Sequence, residues 1–283
     1  MGRAAFLGRL SGYLSALLIC TIGTVTPASA QDMPKDFVYL RDPKDFVYLR
    51  DVDPTIQQDM RYAGADNFTG HRVPGYGAPE CVVVRQAAEA LKAVEADLRG
   101  QGLGLKVYDC YRPAQAVADF VDWAKEADDP NSKVVHYPAL SKKALLPEGY
   151  IAPSSDHSRG ATMDLALVPL DAQSAPPAPD GRSLGACTAP KAEREADTSL
   201  DMGTGFDCFD VKANTNASGL TPEQRANRQK LVDAMSRRGF KNYDKEWWHY
   251  TLNGEPYPTT IFDFPIEPRA QSSSQEGTKK LGN

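Results

Sequence analysis

Met163-Asp164-Leu165-Ala166-Leu167-Val168 is a short apolar run with one carboxylate set inside it. Such a run predicts a buried strand. Burying Asp164 is costly unless it is paired or bound to a metal, so a fold that takes this strand into its core must also bring a partner to the carboxylate. Suitable groups lie on either side: His157 just upstream in Ser155-Asp156-His157-Ser158-Arg159-Gly160, and Glu246-Trp247-Trp248-His249 far downstream. Two imidazoles and two carboxylates suit a catalytic zinc ion, which takes three ligands of the His/His/carboxylate kind and keeps one position open. A further carboxylate can then take a proton from water that the metal has acidified. His157, Asp164 and His249 are the expected ligands, Glu246 the expected base, and the pattern is that of a zinc hydrolase. Spacing alone leaves Glu246 open, because residues three apart on a straight strand face opposite ways. It reaches the metal only if the chain turns before His249. His71 and His136, in loop-like sequence, are read as structural or surface residues.

The ends of the chain belong to another role. Arg3 and Arg9, an apolar stretch from Leu14 to Ile22, and Ala28-Ser29-Ala30 have the layout of a secretory signal. The stretch is short of the roughly 20 apolar residues that a membrane span needs. The expectation is a signal peptide over residues 1–30, cut after Ala30, and a periplasmic or secreted protein with no stable membrane anchor. Pro34–Asp42 recurs at once as Pro43–Asp51. One tandem copy is no solenoid, since repeat folds need several units to bury a core. Residues 31–45 are therefore read as an N-terminal extension, 46–270 as one domain, and the polar segment 271–283 as a disordered tail.

Cleavage after Ala30 leaves Cys81, Cys110, Cys187 and Cys208. An even number in an exported chain favours disulfides, and four cysteines allow three connectivities. Cys81 opens a predicted helical segment and Cys110 closes a predicted strand, which can set them side by side. Cys187 and Cys208 flank a Pro/Ala/charged segment that a bridge would restrain. The expected pairs are Cys81 with Cys110 and Cys187 with Cys208. Loss of Arg3 and Arg9 takes the formal charge from −5 to −7. With no basic patch, nucleic acid is not an expected partner. Nothing in the sequence sets the oligomeric state.

Between these landmarks, Ala87, Ala88, Leu91, Val94 and Leu98 form one helical stripe over 84–99. Leu105–Asp109 reads as a strand that delivers Arg112 to the loop beyond it. Pro113 opens a helix with Val117, Phe120, Val121 and Ala124 on its apolar face. Residues 130–153 look like a surface excursion and 171–200 like a long loop. Thr221-Pro222-Glu223-Gln224 is a capping-box helix start, and Gly239 ends that helix. Residues 242–252 are expected as a strand carrying Glu246 and His249. Short helices interspersed with strands predict an α+β fold, a single domain with a central, mainly antiparallel sheet flanked by helices.

Ser155-x-His157-x-x-Gly160-x-Thr162-x-Asp164 with Glu246-x-x-His249 resembles the signature of zinc D,D-peptidases that share the Hedgehog-type fold. Asp66–Gly70, Val107–Pro113, Asp201–Asp207 and Phe262–Pro265 add a resemblance to the VanX-type D-alanyl-D-alanine dipeptidases, running from about residue 46 to about 266. The broader signature often has Ala at Thr162, a small β-branched residue that suits a buried strand. The resemblance implies one zinc ion on His157, Asp164 and His249, with Glu246 as general base. It makes Arg112 the cation that stabilises the oxyanion, with Asp109 placed to orient its guanidinium. It also implies that Asp207 and Ser155 hold the ammonium group of a free dipeptide, and that the substrate is a small dipeptide. A zinc D,D-carboxypeptidase acting on peptidoglycan stem peptides would share the zinc site but need no acidic group for the amine. A non-catalytic, zinc-containing wall-binding or signalling module would need neither Glu246 nor Arg112.

Overall fold

The computed structural model describes residues 44–172, 185–194 and 197–269. The expected signal peptide, the first copy of the repeat and the C-terminal tail lie outside these residues. The second copy is part of the fold. Its Phe46–Tyr48 forms β1, which runs directly into a short helix α1 (Leu49–Val52). After β2 (Gln57–Gln58), the β-branched Val82–Val84 forms β3 and pairs antiparallel with β1. Helix α2 (Arg85–Arg99) follows at once and buries the predicted stripe of Ala87, Ala88, Leu91, Val94 and Leu98.

The main sheet uses β2, β4 (Leu103–Asp109), β5 (Thr162–Pro169), β6 (Phe240–Asn242) and β7 (His249–Leu252), in the order β2-β4-β5-β7-β6. Within this sheet β2–β4 is parallel and β4–β5, β5–β7 and β6–β7 are antiparallel. The architecture is the expected α+β type. One face of the sheet is apolar: Leu105, Val107, Met163, Leu165, Tyr250 and Leu252 are buried in one core with α2 and with α6 (Pro222–Arg237). Helix α6 starts as its sequence predicts. Thr221 Oγ1 accepts from Gln224 N–H at 3.2 Å, and Gln224 Oε1 accepts from Thr221 N–H at 3.0 Å.

The other face carries the polar groups, and register explains how. Asp164 lies opposite His249 on β7 and opposite Asp109 on β4, so three functional candidates form a row across three strands. Asp109 joins that row because the β4–β5 register slips between Val107 and Asp109. A bulge re-aims the residues beyond it, as bulges beside active sites commonly do.

Two expectations need correction. Residues 242–252 are not one strand: β6 ends at Asn242, the chain turns through 243–248, and β7 starts at His249. The turn is held from inside, as Asn242 Nδ2 donates to the carbonyls of Glu246 and His249, each at 3.0 Å. The 130–153 region is also more than a surface excursion. It contains α4 (Pro130–His136) and α5 (Lys142–Leu145), and it buries Tyr137, Leu145 and Ile151 in a second core. That core also holds Phe120 and Trp123 of α3 (Ala114–Lys125).

Candidate active site

His157 sits on a single 3-10 turn, Asp156–Arg159. Ser155 caps the turn, its Oγ accepting from His157 N–H at 3.3 Å. Gly160 ends it at φ 78°, and a Cβ there would lie 2.2 Å from the Phe46 ring, so both conformation and space demand glycine. The His157 ring is oriented through its Nδ1, which lies 3.5 Å from Asp109 Oδ2. The same Nδ1 lies 2.8 Å from the carbonyl of Cys110, so it must carry the proton, and Nε2 is left with its lone pair.

His157 Nε2 converges with two other ligand-type atoms. His157 Nε2 is 3.3 Å from Asp164 Oδ1 and 3.3 Å from His249 Nδ1, and His249 Nδ1 is 3.2 Å from Asp164 Oδ1. Three donors bound at about 2.0–2.1 Å to one tetrahedral ion stand about 3.3 Å apart, so this triangle has the size that a zinc-like ion requires. Asp164 Oδ1 is buried and makes no hydrogen bond of good geometry. The charge balance agrees. Burial works to raise the Asp164 carboxyl, but the facing His157 and His249 hold it far below the ordinary carboxylate range. Burial works against charge on His249, yet Asp164 and Glu246 push its imidazole up to about 10. The cluster calls for positive charge, and a divalent ion fits the donor set.

The turn at 243–248 settles the direction of Glu246. Its Oε2 lies 3.3 Å from His249 Nδ1, so it reaches the cluster although it stands three residues away along the chain. Arg112 is tied from behind, its Nε and Nη2 both 2.9 Å from Asp109 Oδ2, with Asp164 Oδ2 3.6 Å from Nη2. Its guanidinium carbon lies 5.3 Å from the Tyr62 ring centre and 5.0 Å from that of Phe120. Asp109 is fully buried and also accepts from Tyr76 O–H at 2.7 Å and from Cys110 N–H at 2.8 Å.

His157, Asp164, His249, Glu246 and Arg112 line one cleft of about 260 Å³, together with Ser155 and Asp207, while Asp109 lies behind its wall. The volume lies below the usual range for drug-sized ligands. Asp207 is buried, adopts φ 53°, and accepts from Tyr62 O–H at 2.8 Å. Burial, then the charge of Asp164, pushes its carboxyl well above the ordinary range. A cationic ligand is the natural relief for such a group. The cleft wall comes from Tyr150, Ile151 and Ala152, and among the described residues of 171–200 none lines it.

Tyr62 carries no motif that would mark it in the sequence, yet it touches both Asp207 and Arg112. Asp66–Gly70, matched by the resemblance, turns out to be a loop staple. Asn67 Nδ2 donates to the carbonyls of Arg61, Gly64 and His71, and its Oδ1 accepts from Thr69. Both expected disulfides are present, Cys81–Cys110 and Cys187–Cys208, although Cys81 leads into β3 and the helix starts only at Arg85.

Fold and cleft together define a metallopeptidase-like protein. The chain belongs to the D-ala-D-ala dipeptidase family, whose profile matches residues 42–175 and 181–267. It is 34% identical over 212 residues to a D-alanyl-D-alanine dipeptidase of Enterococcus faecium, an alignment covering 75% of this chain and 93% of the relative. A D-alanyl-D-alanine dipeptidase of Streptomyces coelicolor is 37% identical over 211 residues, with the same coverage. One from Escherichia coli is 28% identical over 226 residues, covering 79% of this chain and 94% of the relative.

Proposed function

We propose that this protein is a zinc-dependent D-alanyl-D-alanine dipeptidase that releases two D-alanines. The observation that carries the reading is Asp207: a buried carboxylate in the same small cleft as the His157/Asp164/His249 triad. A free dipeptide has an ammonium group next to its scissile bond, and Asp207 offers the matching anion. A stem peptide has no ammonium there, which favours the dipeptidase over the carboxypeptidase.

His157 Nε2, Asp164 Oδ1 and His249 Nδ1 would hold the ion. Bound there, zinc supplies Lewis acidity for water and for a carbonyl. Glu246 takes the proton of the attacking water and delivers it to the leaving amine nitrogen. Arg112, held flat by Asp109, donates to the oxygen that becomes negative as the carbonyl is attacked. Ser155 shapes the wall beside His157 and retains a lone pair for the substrate ammonium. Glu246 and Arg112 together speak against a module that only binds zinc. The leader-like residues 1–30 support export to the periplasm or beyond, where recovery of D-alanine from wall turnover is the better fit than policing a cytoplasmic dipeptide pool.

The test is D-alanine release from D-Ala-D-Ala by the purified mature protein, with and without chelator, beside a stem pentapeptide. Chelator-sensitive cleavage of the dipeptide alone is expected. Cleavage of the pentapeptide would establish the carboxypeptidase instead, and no cleavage of either with zinc bound would overturn the enzymatic reading.

A further inference from the structure

Each disulfide ends one residue after an acidic side chain of the site, Asp109 that holds Arg112 or Asp207 that lines the cleft. Cys110 follows Asp109 at the point where β4 leaves the sheet. Its carbonyl accepts from His157 Nδ1 at 2.8 Å, and its N–H donates to Asp109 Oδ1 at 2.8 Å. Two further bonds converge there: Tyr111 N–H to the Val82 carbonyl at 2.9 Å, and Arg112 N–H to the His157 carbonyl at 3.3 Å. The backbone at 110 is thus the joint between the His157 ring and the Asp109–Arg112 pair. The covalent tie at that joint is the bridge to Cys81, the residue before β3, and both cysteines are fully buried.

Cys208 follows Asp207, which among the described residues is the non-glycine residue with positive φ. Such a conformation persists only where the surroundings over-determine it. Here Gly205 N–H donates to the Cys187 carbonyl at 2.9 Å, Cys187 N–H to Val135 at 3.0 Å, and Phe209 N–H to His136 at 2.7 Å. The Cys187–Cys208 bridge closes this set beside Asp207.

We propose that the two disulfides are positioning elements for separate halves of the site. Cys81–Cys110 sets the His157 ring and Arg112, and through them metal affinity and turnover. Cys187–Cys208 sets Asp207, and through it dipeptide affinity, a half that rests on the proposed function above. Loss of a disulfide that served stability alone would lower the melting temperature and leave zinc affinity, kcat and KM unchanged.

The test compares the double variants C81A/C110A and C187A/C208A with the wild type. Zinc affinity is read by competition with a chromogenic chelator, kcat and KM for D-Ala-D-Ala at saturating zinc, and folding by thermal melt. Loss of an orienting contact behind a metal-bound histidine weakens metal affinity about 10–100-fold, and that is expected for the first pair, with lower kcat and KM within about threefold. The second pair should raise KM about tenfold or more, the loss expected for a hydrogen-bonded charge contact, and leave zinc affinity unchanged. Zinc affinity and KM both within about twofold of wild type in folded variants would overturn the proposal, as would both pairs moving the same parameter. If C81A/C110A does not fold, the wild-type bridge is opened stepwise with a phosphine reductant and its intact fraction is followed by mass spectrometry. Zinc affinity should fall with that fraction, and indifference to it would overturn the first half. A wild type that binds zinc but leaves D-Ala-D-Ala intact would remove the proposed function and the Asp207 half with it, while zinc affinity still judges the Cys81–Cys110 half.

Discussion

Replacing Asp109 by asparagine keeps the shape of a fully buried side chain and removes its charge. The native carboxylate accepts four bonds: Tyr76 O–H and Cys110 N–H on Oδ1, and Arg112 Nε and Nη2 on Oδ2. An amide has one acceptor oxygen, so either orientation turns an N–H₂ donor against donors. Facing Arg112, it leaves a guanidinium that is only 14% exposed without its main anion. Breaking a buried pair by removing one partner costs about 3–5 kcal/mol, a large share of the roughly 5–15 kcal/mol that a domain has. Arg112 also loses its orientation, and a misplaced oxyanion donor lowers kcat about 10²–10³-fold. Urea titration with an unchanged m-value measures the first effect, and kcat at equal zinc content the second. Tyr76→Phe is the control: Cys110 N–H remains on Oδ1, so the loss should be near 1 kcal/mol. An Asp109→Asn protein with the wild-type urea midpoint, or with kcat within about threefold of wild type, would refute the reasoning.

Further outcomes follow from the same geometry. Glu246→Ala should retain zinc and lose about 10²–10⁴-fold in kcat, read by metal analysis beside turnover; near-normal turnover would remove Glu246 from the mechanism. Asp207→Asn should raise KM for D-Ala-D-Ala about tenfold or more, the loss expected for a hydrogen-bonded charge contact, with zinc content intact. Arg112→Lys should not rescue activity, because an ammonium cannot reproduce the fork held by Asp109; a wild-type rate would count against that fork. Burial lowers the His136 imidazole to about 4. Below its ordinary value near 6.5 the unfolded chain takes a proton that the folded protein refuses, so stability should fall as pH drops from about 6.5 to about 4, by up to about 3 kcal/mol. Urea midpoints across that range should flatten in His136→Gln, and an identical slope in both proteins would refute the assignment.

Local rules read well wherever one segment decides its own structure. The capping box at Thr221 and Gln224, the stripe of α2 and the buried strand β5 all follow from short-range chemistry. A carboxylate inside an apolar run announced that Asp164 needs a partner, and the residue types of His157 and His249 named the chemistry of that partner. The spacing of Glu246 and His249, by contrast, misled as a strand pattern. The turn between them is held by Asn242 and by a contact from Trp247 N–H to the Ala213 carbonyl, which no window around Glu246 contains.

What the sequence determined by itself is the inventory: two histidines and an aspartate of ligand type, the helix start at Thr221, the stripe of α2, the apolar run of β5, and four cysteines beyond residue 30. Tertiary structure alone decided the assembly. A bulge in β4 put Asp109 in register with Asp164, the β6–β7 turn swung Glu246 back to His249, the 149–155 segment came in as a wall, and Tyr62 was set between Asp207 and Arg112. The physical reason is range. Caps and periodicity are governed by neighbours within a turn or two of chain, whereas a site that neutralises a buried carboxylate is built from groups nearly a hundred residues apart, and only the packed sheet brings them within about 3.3 Å, the spacing one tetrahedral ion requires.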